Sequence, residues 1–196
     1  MDFDEVANLI CRDTYRNVGA FSPRILFRYL LGQHAMYTGA GLLIQFRLCS
    51  WLQTKHGPIW AIARKLLVRR YKKTEALCGV ELTPGTSVGP GLRMPHKGGI
   101  VIHPNAVIGS DCEIAQCVTI GNNLVKSRYA VAVIGDGVIL CAGTKVIGAV
   151  KIGDNVCVGA NSVVTRDLPN NSICAGVPCR VLREGKRLFP LINVDY

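Results

Sequence analysis

The chain has 196 residues, of which 49% are apolar and 18% charged, enough for one domain with an apolar core and an additional segment. Its formal net charge is +10, but its densest basic run has no pattern of stacking aromatic residues and no recognised binding motif, which argues against nucleic-acid binding. The acidic and polar start, MDFDEVANLICRD, does not have the form of a secretory signal, so we expect a cytoplasmic protein.

Cysteine is frequent, with nine residues, but there is no CxxC pair and no spacing typical of zinc ligands. We therefore predict reduced cysteines that act as small buried hydrophobic residues, and we predict no metal site. A catalytic thiol is the less favoured interpretation.

Residues 1–77 are predicted to form an N-terminal helical region. Apolar residues recur at helical spacing in four segments, Asp2–Tyr15, Ile25–Leu31, Leu42–Leu52 and Ile59–Tyr71. The last segment overlaps the densest basic run, ARKLLVRRYKK from Ala63 to Lys73. A solvated helix face is the simplest interpretation of this run. The alternative is attraction to anionic lipid headgroups or an acidic glycan, with peripheral contact to a membrane.

From residue 78 the composition changes, and an aliphatic residue returns at every sixth position over most of the following hundred residues. Six residues fit one short strand and one turn, and three such units close one coil of a solenoid. Residues two positions earlier are also mostly apolar or small, as expected for side chains that point inward from a strand. The aliphatic series is Ile102, Ile108, Ile114, Ile120, Ile134, Leu140, Val146, Ile152, Val158 and Val164.

The six-residue step is interrupted twice. Two extra residues precede Ile102, which predicts a bulged corner at Lys97–Gly99. Eight extra residues separate Ile120 from Ile134, which predicts a loop near Asn122–Val133. Loops that extend from a solenoid often carry its binding function.

His96 is the most promising catalytic residue because it precedes the first irregular corner and follows Glu81 by 15 residues. In a coil of about 18 residues with a slipped corner, this spacing brings the two side chains near each other. A histidine oriented by a carboxylate can act as a general base. The alternative is a surface histidine that lies near a surface glutamate without a catalytic role, which is a common arrangement.

Sequence motifs around His96 resemble those of bacterial serine O-acetyltransferases. The similar segments are ELTPGTSVGPGLRMPHKGGIVIHPNAVIG (Glu81–Gly109), IAQCVTIG (Ile114–Gly121) and AGVPCRV (Ala175–Val181), within residues 78–182. The helical N-terminus, with RDTYR and FRLCSWL, resembles a shorter branch of this family that is associated with polysaccharide synthesis.

The resemblance implies a mainly β protein, a left-handed parallel β-helix of hexapeptide repeats over 78–182, with a C-terminal tail at 183–196. This handedness would be an exception to the usual right-handed crossover. It also implies a homotrimer, with active sites between neighbouring solenoids and trimers that could pair further. Acetyl-CoA would be the co-substrate.

By motif position, the resemblance assigns catalysis to His96, oriented by Glu81 where the family has Asp. Contacts with CoA are expected at Ala142, Gly143 and Ala160, with Lys145 and Arg180 as candidate phosphate partners.

The acceptor site departs from the family pattern, because Pro95 replaces an Asp before the catalytic histidine. Ala130 and Val131 fall where the family has an Arg-His pair, although Arg128 lies close by. We therefore expect acceptor binding at Pro95, Arg128 and Tyr129, without the groups that hold a free amino acid. This favours a sugar or polysaccharide-precursor hydroxyl as acceptor.

Three alternatives remain open from the sequence. The chain could acetylate serine in cysteine biosynthesis, with other residues holding the amino acid. It could be a non-catalytic solenoid that serves as a scaffold. It could also be an N-acetyltransferase acting on an amino sugar.

Overall fold

The computed structural model describes residues 2–22, 24, 27, 29, 39–125, 127 and 129–185. Within these residues three helices precede a long series of short strands. The helices are α1 (Phe3–Val18), α2 (Ala40–Gln53) and α3 (Pro58–Cys78). Among the described helices, none combines the length and the apolar character that crossing a bilayer requires.

The helix ends follow from local sequence. The Asp2 side chain accepts a hydrogen bond from the Glu5 amide while the Glu5 side chain accepts one from the Asp2 amide, which forms a capping box at the start of α1. Gly19 ends α1 and Gly79 ends α3, both in the left-handed conformation that glycine adopts without strain. Both helices run several residues beyond their predicted ends, and Ile25–Leu31 lies largely outside the described residues.

The strands form three sheets, each built from one strand of successive coils. Sheet A contains β1 (Val80–Leu82), β3 (Ile100–Ile102), β6 (Thr119–Gly121), β9 (Lys145–Ile147) and β12 (Val163–Val164). Sheet B contains β2 (Ser87–Val88), β4 (Val107–Ile108), β7 (Val133–Ile134) and β10 (Lys151–Ile152). Sheet C contains β5 (Glu113–Ile114), β8 (Ile139–Leu140), β11 (Cys157–Val158), β13 (Ser172–Ala175) and β14 (Arg180–Glu184).

Equivalent strands of neighbouring coils pair in parallel, which confirms the predicted parallel β-helix. In sheet A, Ile102 pairs with Ile120 and Ile120 with Val146, so the aliphatic residues stack in columns. All ten residues of the six-residue series are at most 2% exposed. Only β14 departs from the pattern, because it turns back antiparallel to β13.

The helices share an apolar core with the first coil. Leu42, Leu43 and Phe46 of α2 belong to the same buried cluster as the solenoid interior. Tyr71 of α3 is fully buried and donates a hydrogen bond to the Leu82 carbonyl. The helical region therefore closes one end of the solenoid, where the first coil would otherwise expose its apolar interior.

Candidate active site

One edge of the solenoid, where each coil passes from sheet C to sheet A, stacks the corners that contain most of the predicted site. The Cys117 amide donates to the Gly98 carbonyl (2.8 Å), the Gly143 amide to Gln116 (2.9 Å), and the Asn161 amide to Ala142 (2.8 Å). These bonds join corners 94–99, 115–118, 141–144 and 159–162 in a continuous column. We call this column the His96 edge.

His96 lies in the first corner of this edge, in the bend that the sequence analysis predicted. The bend ends with Gly98 and Gly99, both at positive φ (106° and 66°), a conformation that glycine tolerates best. The imidazole is exposed and carries no described hydrogen bond. A proton-accepting group at this position is accessible to an incoming hydroxyl.

Glu81 lies in the middle of β1, on the outer side of sheet A, while its neighbours Val80 and Leu82 are buried. The His96 bend folds back over the end of α3, because a Cβ on Gly79 would lie 3.2 Å from Gly98 Cα. Among the described hydrogen bonds, none joins Glu81 to His96. Glu81 and the His96 bend nevertheless lie at the same end of sheet A. Catalytic hydrogen bonds often shorten only when substrate is bound.

A groove of about 550 Å³ runs beside Glu81, between the end of α3 and the first strands of sheet A. Its wall includes Lys72 and Glu75 of α3, whose charged groups are 2.6 Å apart. Glu75 is buried and also accepts a hydrogen bond from the Leu82 amide (3.0 Å). The groove therefore offers one cation and two carboxylates within the reach of a small polar molecule.

The three residues predicted to contact CoA occupy successive corners of the His96 edge. Ala142 and Gly143 form the corner before β9, and Ala160 belongs to the corner before β12. Gly143 has φ of +75°, and a Cβ there would clash with the Asn161 side chain. Small residues and exposed backbone along a column give a narrow ligand close access to the chain.

Gln116 adds an unsatisfied polar group to the same column. Its side-chain oxygen is buried and has no hydrogen-bond partner among the described residues. A buried acceptor without a partner costs free energy that a bound donor can recover. An amide N–H, of the kind found in the pantetheine arm of CoA, fits this requirement.

The two predicted phosphate partners differ in their surroundings. The Lys145 ammonium donates to the Cys117 carbonyl (2.5 Å) and to Thr119 Oγ1 (3.1 Å), so it lies against the His96 edge. Arg180 opens β14, is exposed, and donates to the carbonyl of its neighbour Cys179 (3.0 Å).

The thiol of Cys141 also lies in this column. A hydrogen bond from Cys157 lowers the pKa of Cys141 to about 7, whereas burial opposes this shift. The prediction of buried cysteines holds for five of the nine, because Cys117 is exposed and Cys11, Cys141 and Cys157 are half-buried.

The predicted acceptor residues are divided between two edges. Pro95 lies in the His96 edge, whereas Tyr129 lies in the loop 122–132 at the opposite border of sheet A, where it is exposed. The Tyr129 carbonyl accepts a hydrogen bond from Asn105 (3.4 Å). Arg128 lies outside the described residues. Within one chain, the width of sheet A therefore separates the loop from His96.

The sequence analysis did not single out Lys72, Glu75 or Gln116, which the structure places beside the predicted site residues. The first two belong to a helix whose packing against β1 cannot be deduced from the hexapeptide pattern. Gln116 occupies an ordinary corner position, and only the missing hydrogen-bond partner of its buried side-chain oxygen distinguishes it.

Comparison with known proteins connects this geometry to a family. Residues 132–166 match the family model described as bacterial transferase hexapeptide (six repeats). A serine acetyltransferase from Synechococcus elongatus is 37% identical over 79% of this chain and 62% of its own length. A serine acetyltransferase from Helicobacter pylori is 32% identical over 77% of this chain and 85% of its own length.

A solved structure described as serine acetyltransferase in complex with CoA is also similar. It has a TM-score of 0.69 and 26% identity, over 92% of this chain and 71% of that chain. The present chain thus spans less than two thirds of the Synechococcus relative and most of the Helicobacter one.

These comparisons overturn one prediction and support others. The expected sugar or polysaccharide acceptor and the polysaccharide-synthesis branch are wrong, because the curated relatives are named serine acetyltransferases. The error came from treating Pro95, Ala130 and Val131 as the loss of the whole amino-acid site. The motif comparison did not consider the charged groove that Lys72 and Glu75 of α3 line. The expectation of an acetyltransferase related to the serine enzymes is confirmed.

Proposed function

The chain belongs to the serine acetyltransferase family, and we propose that it transfers the acetyl group of acetyl-CoA to the hydroxyl group of L-serine. The observation that carries the proposal is the His96 edge, which aligns an accessible imidazole with a column of small corners. Relatives that cover most of the chain and carry this activity in their names support the choice of acceptor.

In the proposed reaction, His96 removes the hydroxyl proton as the serine oxygen attacks the thioester carbonyl carbon. The tetrahedral intermediate then loses the thiolate of CoA, which takes the proton back from the imidazolium. General-base assistance of this kind contributes about two to four powers of ten in rate. No covalent intermediate on the protein is needed.

Glu81 is the proposed orienting carboxylate. Its negative charge would fix the imidazole tautomer and stabilise the imidazolium that forms as the proton moves. Its position on the outer side of β1, near the folded-back His96 bend, supports this role.

Acetyl-CoA supplies the activated acetyl group, and we assign its arm to the His96 edge. Ala142, Gly143 and Ala160 would leave space for it, and the free oxygen of Gln116 would accept a hydrogen bond from one of its amides. Lys145 and Arg180 would face its phosphates, with Lys145 exchanging its present backbone contact for a phosphate oxygen.

Serine carries both a positive and a negative charge, so its site needs groups of both signs. We assign the carboxylate of serine to Lys72 and its ammonium group to Glu75, the other carboxylate of the groove beside Glu81. These groups would take over the role of the charged family residues whose positions are occupied here by Pro95, Ala130 and Val131. Tyr129 and Arg128 would contribute from the loop.

Because Tyr129 and His96 lie on different edges of one chain, we propose that a neighbouring copy brings its loop to this site in a homotrimer. We also propose that the solenoid is left-handed, as the family resemblance implies. Light scattering coupled to gel filtration would test the trimer.

Steady-state kinetics with acetyl-CoA and L-serine test the function. Loss of the thioester absorbance measures turnover, and mass spectrometry with hydroxylamine treatment identifies an ester product rather than an amide. We expect His96→Ala to lower kcat by about a hundredfold or more while folding is retained.

His103→Ala is the matched control, since His103 is the other histidine of the solenoid and lies in a corner between sheets A and B. We expect it to retain nearly full activity. Absence of O-acetylserine formation by the wild-type protein would refute the acceptor. Full activity of His96→Ala would refute the mechanism.

A further inference from the structure

The outward side of α3 carries large apolar side chains that no part of the described structure covers. Ile59, Ile62 and Leu66 are 78%, 63% and 66% exposed. Their spacing of three and four residues places them on one face of the helix. Lys73 and Leu77 continue the same face, and we call these five residues the outer face of α3.

The outer face is distinct from the side of α3 that packs on the protein. Tyr71, Thr74, Glu75 and Cys78 are buried on the inner side, where Leu67 and Val68 also contact the core. The exposed residues are therefore not required to close the solenoid, and their apolar character is unexplained by folding. Contiguous exposed apolar residues usually indicate an interaction surface.

The charges beside the outer face are all positive. Lys65, Arg69 and Lys73 are exposed, and Lys72 follows on the adjacent side. The only carboxylate of α3 is Glu75, which is buried and paired with Lys72. The exposed carboxylate of Glu81 lies at the groove on the other side of Lys72, away from the outer face.

An aromatic cluster lies at the start of the same helix. Trp60 packs edge-on against Trp51 (5.5 Å between ring centres), and Lys55 lies 5.0 Å above the Trp51 ring. Tryptophan and lysine are the residues that favour the boundary between lipid headgroups and acyl chains.

We propose that the outer face of α3 binds the surface of an anionic lipid bilayer. The apolar residues would enter the boundary between headgroups and acyl chains, while the flanking cations contact lipid phosphates. A two-fold contact of this face with the same face of a second copy is a poorer occupant, because it would bring like charges together. This inference is independent of the proposed acetyl transfer.

The expected strength of membrane binding follows from the residues that would contact the bilayer. Each lysine or arginine near an anionic membrane contributes about 1 kcal/mol, or roughly fivefold in partitioning. Burial of a leucine side chain contributes about tenfold or more. Binding should therefore depend on both classes of residue and weaken as salt screens the charges.

Co-sedimentation of the full-length protein with vesicles tests the proposal. Vesicles of phosphatidylcholine alone are compared with vesicles that also contain phosphatidylglycerol, at low and raised salt. We expect binding to the anionic vesicles only, and at least tenfold weaker binding for the double variant Lys65→Glu/Leu66→Ser.

The matched control is Leu182→Ser/Arg183→Glu, because Leu182 is 67% exposed and lies next to an exposed arginine on β14. It makes the same change of charge and apolar area at a different surface, and it should bind like the wild type. Acetyl transfer by both variants, measured in solution, should be unchanged.

Three results would overturn the proposal. The first is equal binding to neutral and anionic vesicles, or none to either. The second is an equal loss in the control variant, which would indicate a general charge effect. The third is a change of oligomeric state in Lys65→Glu/Leu66→Ser, which would assign the face to contact between copies.

Discussion

Glycines follow many of the stacked aliphatic residues, and crowding rather than backbone conformation explains all but Gly121. Gly109, Gly121, Gly135, Gly153 and Gly159 all have ordinary φ values. At Gly109 an added Cβ would lie 2.5 Å from the Gly135 carbonyl oxygen of the next coil. The spacing of these glycines along the chain does not show how closely neighbouring coils approach.

We predict that Gly109→Ala lowers the free energy of unfolding by about 1–3 kcal/mol, because backbone atoms of the next coil must move. Gly121→Ala is the control, since its Cβ would make only ordinary contacts, with Ile147 Cδ1 at 3.7 Å and Thr119 Cγ2 at 3.8 Å. It should change stability by less than about 1 kcal/mol. Urea denaturation of both variants checks this, and equal effects would contradict the crowding explanation.

At the scale of elements, a buried ion pair fixes α1 and α2 to the first coil. Asp13 of α1 accepts hydrogen bonds from Arg47 Nε (2.8 Å) and from the amides of Gly91 (2.7 Å) and Leu92 (3.0 Å). Arg47 of α2 also donates to the Val88 and Gly89 carbonyls, both at 2.6 Å. Two helices and one corner therefore meet through one pair of charges.

We predict that Asp13→Ala destabilises the protein by about 3–5 kcal/mol, because Arg47 is left buried without its counter-charge. Asp4→Ala, at an exposed position of the same helix, should cost less than about 1 kcal/mol. Thermal and urea unfolding give the comparison. A loss below about 1 kcal/mol for Asp13→Ala would show that the pair does not hold the helices in place.

At the scale of the whole molecule, the helices and the solenoid share one apolar core. The cluster that includes Phe46 and Tyr71 continues through the stacked interior to Val164 and Cys174. A second, smaller cluster joins α1 to α2 through Val6, Ile10 and Ile44. Secondary structure therefore changes at the predicted boundary between residues 77 and 78, but buried side chains pack across this boundary.

We predict that the helices and the solenoid unfold in a single transition. Far-UV circular dichroism reports the helices, and hydrogen exchange of the buried amides in β3 and β6 reports the solenoid. The helix signal and the protection of the strand amides should be lost at the same urea concentration. Loss of helix signal while the strand amides remain protected would show that the two parts are independent.

The sequence by itself determined the repeating architecture, because a six-residue period leaves inward-facing positions only one arrangement, stacked coils. It also located the irregular corner at His96 and the loop near Asn122–Val133, since both interrupt the period. Only the tertiary structure decided which groups surround Glu81, because Lys72 and Glu75 reach the groove through the packing of α3 on β1. The sequence pattern gives only the spacing of residues along the chain, whereas the chemistry of a site depends on side chains brought together from distant positions.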